Sequence, residues 1–196
     1  GIGFIGKNTL LINPNLGSNL FLGEIFLDIE IKKDEPLALD CGDCSLCIDN
    51  CKTEALKEDH LLAAADCTAY LTQKKGILTE EEIKKIGGHI WGCDDCKDIC
   101  PYNKNKKKTK AEEMQFFNSD LEYFLSIERK NPPLELKDTA IMWRGTRILI
   151  RNALIVAANL KKEKYYDLIK EKLKDNSPVI RYYALYALAK IDFKRS

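Results

Sequence analysis

Cys41-Gly42-Asp43-Cys44-Ser45-Leu46-Cys47-Ile48-Asp49-Asn50-Cys51 and Cys93-Asp94-Asp95-Cys96-Lys97-Asp98-Ile99-Cys100-Pro101 are two runs of one grammar, and Cys67 stands alone between them. Together they hold all eight cysteines of a 196-residue chain. Disulfides would suit eight cysteines in a small secreted protein. No charged-plus-apolar leader precedes a cleavage site here, and the chain is long enough to bury a core without bridges. Structural zinc prefers two C-x2-C pairs per site, whereas the first run is spaced x2, x2, x3. Inert buried cysteines do not cluster in this way.

Short thiolate runs wrap three corners of an iron–sulfur cubane and draw the fourth ligand from elsewhere. In two-cluster ferredoxins the fourth cysteine of each run serves the other cluster. Applied to this spacing, one 4Fe-4S cluster takes Cys41, Cys44, Cys47 and Cys100, and the second takes Cys51, Cys67, Cys93 and Cys96. Every cysteine is used once. Lys52 stands after the fourth cysteine, where such runs usually carry a turn-shaping proline.

Outward from the cysteines the pattern changes. Thr9–Ile12 and Phe21–Ile31 read as two strands around a turn at Pro14-Asn15-Leu16-Gly17. Thr79-Glu80-Glu81-Glu82 reads as a capping box opening a short helix that stops at Gly87-Gly88. Lys104–Lys110 is a lysine-rich connector. Beyond it the chain turns helical: an apolar helix over Ile148–Leu160, an amphipathic one over Tyr165–Leu173, and a third over Val179–Ile191, with Asn176-Ser177-Pro178 as its cap and first-turn proline. Asp175, Ser177, Val179, Arg181, Ala184, Ala187 and Leu188 match the second half of a HEAT-type repeat, in which small residues let paired helices stack. The expected fold class is α+β: a ferredoxin-like double 4Fe-4S domain followed by an all-α HEAT-like domain.

A net charge of +1 hides a division. Residues 1–100 carry 10 basic against 18 acidic side chains, and residues 101–196 carry 21 against 12. A basic half beside an acidic, cluster-bearing half points to an anionic partner, nucleic acid before membrane. No apolar run approaches a membrane span. The opening Gly1-Ile2-Gly3 looks like a piece cut from a longer protein.

With these features in view, the chain resembles the epoxyqueuosine reductases, enzymes of queuosine synthesis in tRNA. The matching strings are Gly3-Phe4-Ile5-Gly6-Lys7-Asn8-Thr9-Leu10-Leu11-Ile12, Phe21-Leu22-Gly23-Glu24-Ile25, Cys41-Gly42-Asp43-Cys44 and Tyr70-Leu71-Thr72. Gly92-Cys93-Asp94-Asp95-Cys96, Cys100-Pro101-Tyr102-Asn103-Lys104 and Arg151-Asn152-Ala153 complete the set. The resemblance implies cobalamin-dependent reduction of an epoxide to an alkene on the modified wobble base, with electrons relayed through the clusters. It also implies a three-part division: residues 1–35 as the end of a cobalamin-binding domain, 36–110 as the double-cluster domain and 111–196 as the helical domain. The proposed proton donor belongs to a portion N-terminal to this one, so residues 1–196 alone are expected to be inactive. Lys52, Glu54, His89 and a shortened Leu71–Gly76 segment depart from the family pattern.

Several residues carry further expectations. The resemblance sets Gly6, Lys7, Asn8, Cys93 and Asp94 against cobalamin, and without it Gly6–Asn8 reads as a plain turn. Lys106, Lys107, Lys108, Arg144, Arg147 and Arg151 are the candidate tRNA contacts, the three arginines being spaced for one helix face. Trp91 and Trp143 read as core or cluster-shielding residues before base-stacking platforms, Trp143 less firmly because Arg144, Arg147 and Arg151 lie close by, and His89 reads as part of a surface turn near a cluster. The expected partners are a tRNA anticodon stem–loop and an electron donor such as ferredoxin or flavodoxin, for a monomer in the cytoplasm. A stand-alone electron carrier, or the iron–sulfur part of another corrinoid reductase, is the alternative.

Overall fold

The computed structural model describes residues 1–104 and 120–192. In chain order these contain β1 (Phe4–Ile5), β2 (Leu11–Ile12), α1 (Leu46–Asp49), β3 (Leu56–Glu58), β4 (Leu61–Leu62), α2 (Thr68–Leu71), α3 (Glu80–Ile86) and α4 (Asp95–Asp98). There follow α5 (Leu121–Ser126), α6 (Leu134–Lys137), α7 (Thr146–Asn159), α8 (Tyr166–Glu171) and α9 (Pro178–Asp192). Among the described residues no helix is long and apolar enough to cross a membrane. The chain divides into two compact units: Gly1–Cys67 with the described residues from Asp94 to Lys104, and Thr68–Cys93 with the described residues from Asp120 onward.

The first unit is built of turns. β1 and β2 pair antiparallel, Phe4 opposite Ile12 and Ile5 opposite Leu11, across a turn in which Thr9 takes φ +67°. β3 and β4 form a second antiparallel hairpin. Gly17 takes φ +78°, and a Cβ there would stand 2.1 Å from Asn103 Oδ1, so only glycine fits. Asn103 fastens this turn by accepting from Ser18 N (2.8 Å) and donating to Ser18 Oγ (2.8 Å).

Phe21–Ile31 forms no strand. Phe21, Leu22, Ile25, Phe26, Leu27, Ile29 and Ile31 are all exposed, and no described residue pairs with this stretch. Alternating apolar residues make a strand only when a neighbouring edge takes their backbone hydrogen bonds.

The second unit has a continuous apolar core. α7 is apolar nearly all round and buries twelve of its fourteen residues. It packs against α3, α5 and α9, while α8 packs against α5 and α9. Ala153, Ala157, Ala184 and Ala187 are fully buried, and their small side chains let the helices approach closely. α9 turns Ile180, Tyr183, Ala184, Ala187, Leu188 and Ile191 inward, an i, i+3, i+4, i+7 stripe. α3 opens with the expected capping box, Thr79 Oγ1 and the Glu82 carboxylate reciprocally satisfying backbone N–H groups, and ends at Gly87 with φ +57°. Pro178 is the first residue of α9, but the cap expected at Ser177 is not made: its Oγ is buried without a partner.

Candidate functional site

The first cysteine run and the end of the second, about fifty residues apart in sequence, meet inside the first unit. Cys41, Cys44, Cys47 and Cys100 line one pocket with Lys7, Asn8, Ile12, Leu46, Pro101 and Tyr102. Local turns explain the convergence. Asp40 Oδ1 accepts from Gly42 N (2.7 Å), Gly42 takes φ +52°, and Cys44 N donates to Cys41 O (3.2 Å), which turns the first thiols inward. α1 then carries Cys47, with Asp49 N and Ile48 N donating to Ser45 O. In the second run, Asn103 Nδ2 donates to Lys97 O (2.7 Å), and the Tyr102 ring meets Phe4 edge to face at 5.2 Å. This seats Cys100 and Pro101 beside β1.

None of the eight cysteines is in a disulfide. Burial pushes the Cys47 thiol up, and the neighbouring Cys41 and Cys100 add to the effect. Crowded thiolates without a cation among them are unfavourable, and an iron–sulfur core supplies the missing positive charge. Four soft sulfur donors in a largely apolar pocket therefore fit a cluster. Cys51 differs: burial pulls its thiol up, but N–H groups of Leu56, Ala55 and Thr53 and the Thr53 hydroxyl outweigh this and hold it below the ordinary value.

Of the second expected ligand set, the first unit carries Cys51, Cys67 and Cys96 and the second unit carries Cys93. Lys52, in the place of the family's proline, pairs with Asp95 (3.2 Å), and Asn50 Nδ2 donates to Asp95 O (2.9 Å), so side-chain contacts shape that turn. In the second unit, Gly92 N donates to Thr72 Oγ1 (3.0 Å), and Asn152 Nδ2 holds the carbonyls of Thr72 and Ile90 (both 2.7 Å). These bonds fix the approach to Cys93. His89 Nε2 lies 3.9 Å from Cys93 Sγ.

The Gly6–Asn8 turn is held by the second hairpin. His60 Nδ1 lies 3.0 Å from Gly6 O, His60 N donates to Lys7 O (3.1 Å), and Asp59 pairs with the Lys7 ammonium (3.1 Å), holding it above its ordinary pKa. A Cβ at Gly6 would meet Ile12 Cδ1 at 2.5 Å and Asn8 Oδ1 at 2.9 Å. The close approach that requires glycine is therefore to the chain's own side chains, and the described residues alone build no cradle for a corrin. Asp94 is exposed.

The basic candidates separate. Arg151 is wholly buried and is corrected from RNA contact to structural centre. Its guanidinium donates to the carbonyls of Lys74 (2.5 Å) and Gly76 (3.3 Å) and to Asn152 Oδ1 (2.8 Å). Burial brings its pKa down to about 10, so it remains a cation at neutral pH. Arg144 precedes α7, so the three arginines do not share one continuous helix face. Arg147 is exposed. Lys106, Lys107 and Lys108 lie outside the described residues.

Sequence reasoning missed a patch in the second unit. Tyr70, Gln73, Lys74, Lys75 and Arg144 line one pocket. Trp143 is 65% exposed, not in the core, and donates from Nε1 to Gln73 Oε1 (3.0 Å) while the Arg144 guanidinium stacks over its ring at 3.9 Å. An exposed indole, an exposed tyrosine and several cations form a surface suited to stacking bases and contacting phosphates. The adjacency of Trp143 and Arg144 was the available signal, but the folding of residues 70–75 beside them was not legible.

A family model described as a 4Fe-4S double cluster binding domain matches residues 40–103. An epoxyqueuosine reductase of Bacillus anthracis is 38% identical over 97% of this chain and 52% of its own length. The solved epoxyqueuosine reductase of Bacillus subtilis is 35% identical, with a TM-score of 0.87 over 97% of this chain and 53% of that one. A crystal structure of an epoxyqueuosine reductase with an epoxyqueuosine-modified tRNA-Tyr stem loop is 36% identical, with a TM-score of 0.84 over 97% of this chain and 52% of that one. The chain thus spans about half the length of the curated relatives it matches. On the double-cluster match and on identity sustained over nearly all of its residues, this chain belongs to the epoxyqueuosine reductase family.

Proposed function

We propose that this chain is the iron–sulfur and RNA-docking portion of an enzyme that reduces the epoxide of epoxyqueuosine, at the tRNA wobble position, to queuosine. The observation that carries the reading is the convergence of Cys41, Cys44, Cys47 and Cys100 on one pocket, in a chain of this family. Cys51, Cys67, Cys93 and Cys96 hold the second cluster, an assignment that rests on spacing. When bound, the clusters supply one-electron transfer at potentials set by charge, sulfur hydrogen bonds and burial. Gly6, Lys7, Asn8, Cys93 and Asp94 are the residues that would border cobalamin. Residues 1–35, 36–110 and 111–196 are the corresponding functional divisions, the last HEAT-like in its stacking of small-residue helices. The chain works as a cytosolic monomer, drawing electrons from a small carrier such as ferredoxin or flavodoxin.

Docking of RNA is the task of the second unit. Trp143 and Tyr70 offer faces to unpaired bases of an anticodon loop, and Lys75, Arg144 and Arg147 meet its phosphates. Lys106, Lys107 and Lys108, outside the described residues, are further candidate phosphate contacts. The test is to titrate an anticodon stem–loop onto the anaerobically reconstituted chain at two salt concentrations. Affinity should fall with salt at a log–log slope of about −0.7 to −0.9 per phosphate contact, and Lys75→Ala or Arg147→Ala should each remove roughly one such increment. Trp143→Ala should weaken binding by about 1–3 kcal/mol. Undetectable binding with both clusters assembled would leave the stand-alone electron carrier as the better reading.

A further inference from the structure

In the pocket formed by Cys41, Cys44, Cys47 and Cys100, one polar group is left over. Asn8 is only 4% exposed, lines the pocket, and its Nδ2 is buried with no hydrogen-bond partner. The amide's orientation is set from its other end, because Oδ1 accepts from Leu10 N (3.3 Å). Turning the amide over would place two N–H donors against another N–H donor. The remaining polar tips on the pocket wall are engaged elsewhere. The Lys7 ammonium pairs with Asp59 (3.1 Å), and the Tyr102 hydroxyl donates to Asp40 O (3.3 Å). A buried NH2 group with no acceptor is costly and calls for an explanation. No cysteine sulfur accepts from Nδ2, so its acceptor must belong to whatever fills the pocket.

We propose that the Asn8 side-chain amide donates an N–H···S hydrogen bond to an inorganic sulfide of the cluster held by Cys41, Cys44, Cys47 and Cys100, and that this bond raises the cluster's reduction potential. The proposal rests on the cluster reading above. An N–H dipole aimed at the cluster stabilises the state with one more negative charge, the reduced one. The Lys7 backbone N–H acts in the same sense on the Cys41 sulfur, at 3.5 Å. Asn8 is thus a positioning and tuning residue of the relay, and its side chain serves the sulfur side of the turn.

The test uses the full chain, reconstituted with iron and sulfide, and follows each cluster by redox titration with EPR detection. Asn8→Ala should make reduction of one cluster about tenfold less favourable, ~59 mV for a one-electron couple. Asn8→Asp, equal in shape but carrying acceptors where the donors were, should lower that potential further. The other cluster should keep its potential in both variants. Because a variant can fail to assemble, the wild-type chain carrying 15N-labelled asparagine side chains is measured as well. Pulsed EPR of its reduced clusters should show a weak 15N coupling on one cluster. Absence of that coupling would overturn the proposal, as would unchanged potentials in assembled variants or equal shifts at both clusters. A wild-type chain that takes up no iron would instead refute the cluster reading itself.

Discussion

Buried apolar side chains are shared very unevenly between the two units. In the first, among the described residues, Ile12, Ala55, Leu56 and Cys100 are the buried hydrophobics. In the second, α3, α5, α7, α8 and α9 enclose a core running from Leu71 to Ile191. Four small patches of burial cannot order some eighty residues against chain entropy. The first unit is therefore held by its turns and, on the cluster reading, by sulfur-to-iron bonds from the seven cysteines that it carries. The second is held by the hydrophobic effect. On that reading, metal binding and folding are coupled in the first unit, whereas the second folds around its own apolar core.

The largest effect should come from removing iron. Chelation under reducing conditions should erase amide exchange protection at β1, β2, α1 and α4, while the amides of α7 and α9 keep theirs. The reconstituted chain should hold about eight irons, and Cys100→Ala about four, with the cluster of Cys41, Cys44 and Cys47 lost. Simultaneous loss of protection in both units on chelation would break the contrast. One zinc per four cysteines without visible absorption would remove its basis.

Next in size is Arg151, which does for the second unit what a bound cluster would do for the first: it gathers otherwise unpaired groups at a buried point. Four or more acceptors surround it, among them the carbonyls of Leu71 (3.4 Å) and Thr72 (3.5 Å). Arg151→Met should cost about 2–4 kcal/mol of unfolding free energy, because those carbonyls lose partners without gaining water. Arg147→Ala, four residues earlier and exposed, should stay within about 0.5 kcal/mol. Urea unfolding followed by tryptophan fluorescence measures the second unit alone, since Trp91 and Trp143 both lie in it. Equal stability of the two variants would show that the buried guanidinium is dispensable.

The two arginines also show how far the sequence could be read. Apolar runs repeated over several turns placed α7 and α9 to within two residues, and the Thr79 capping box with the Gly87 stop placed α3. The cysteine spacing proposed the four ligands that the first unit brings to one pocket. Spacing alone could not separate Arg147 from Arg151. Both sit in a cationic stretch, and only the packing of residues 71–76 around α7 buries one of them. Nor could it show that Leu71, Leu78, Ile83 and Ile86, lying between the two cysteine runs, belong to the helical core. A cut near residue 101 would deprive the helices of those side chains, so RNA binding must be tested on the whole chain. Phe21–Ile31 failed for the opposite reason: its pattern was right for a strand, but strand formation depends on a partner that no local pattern encodes.

The smallest effect is electrostatic and confined to the second unit. Asp120 caps α5 by accepting from Leu121 N (2.6 Å). The Tyr165 hydroxyl and the Lys164 ammonium hold its carboxyl at about 2, well below an ordinary aspartate. Glu82 is shifted in the same direction by Lys74 and Thr79. When a folded carboxyl has the lower pKa, the unfolded chain takes up the proton first. The contribution to stability is therefore complete above roughly pH 4 and is lost as pH falls toward 2. Exposure and salt screening keep the magnitude small. Tryptophan-monitored urea midpoints at pH 5 and pH 3 should show wild type losing stability, and Asp120→Asn losing less, because its amide has no proton to gain. The clusters are removed first in both samples, so that acid lability of the iron does not enter. Parallel losses in the two chains would mean that acid weakens the helical unit through other carboxylates, and that the cap at α5 contributes only its neutral hydrogen bond.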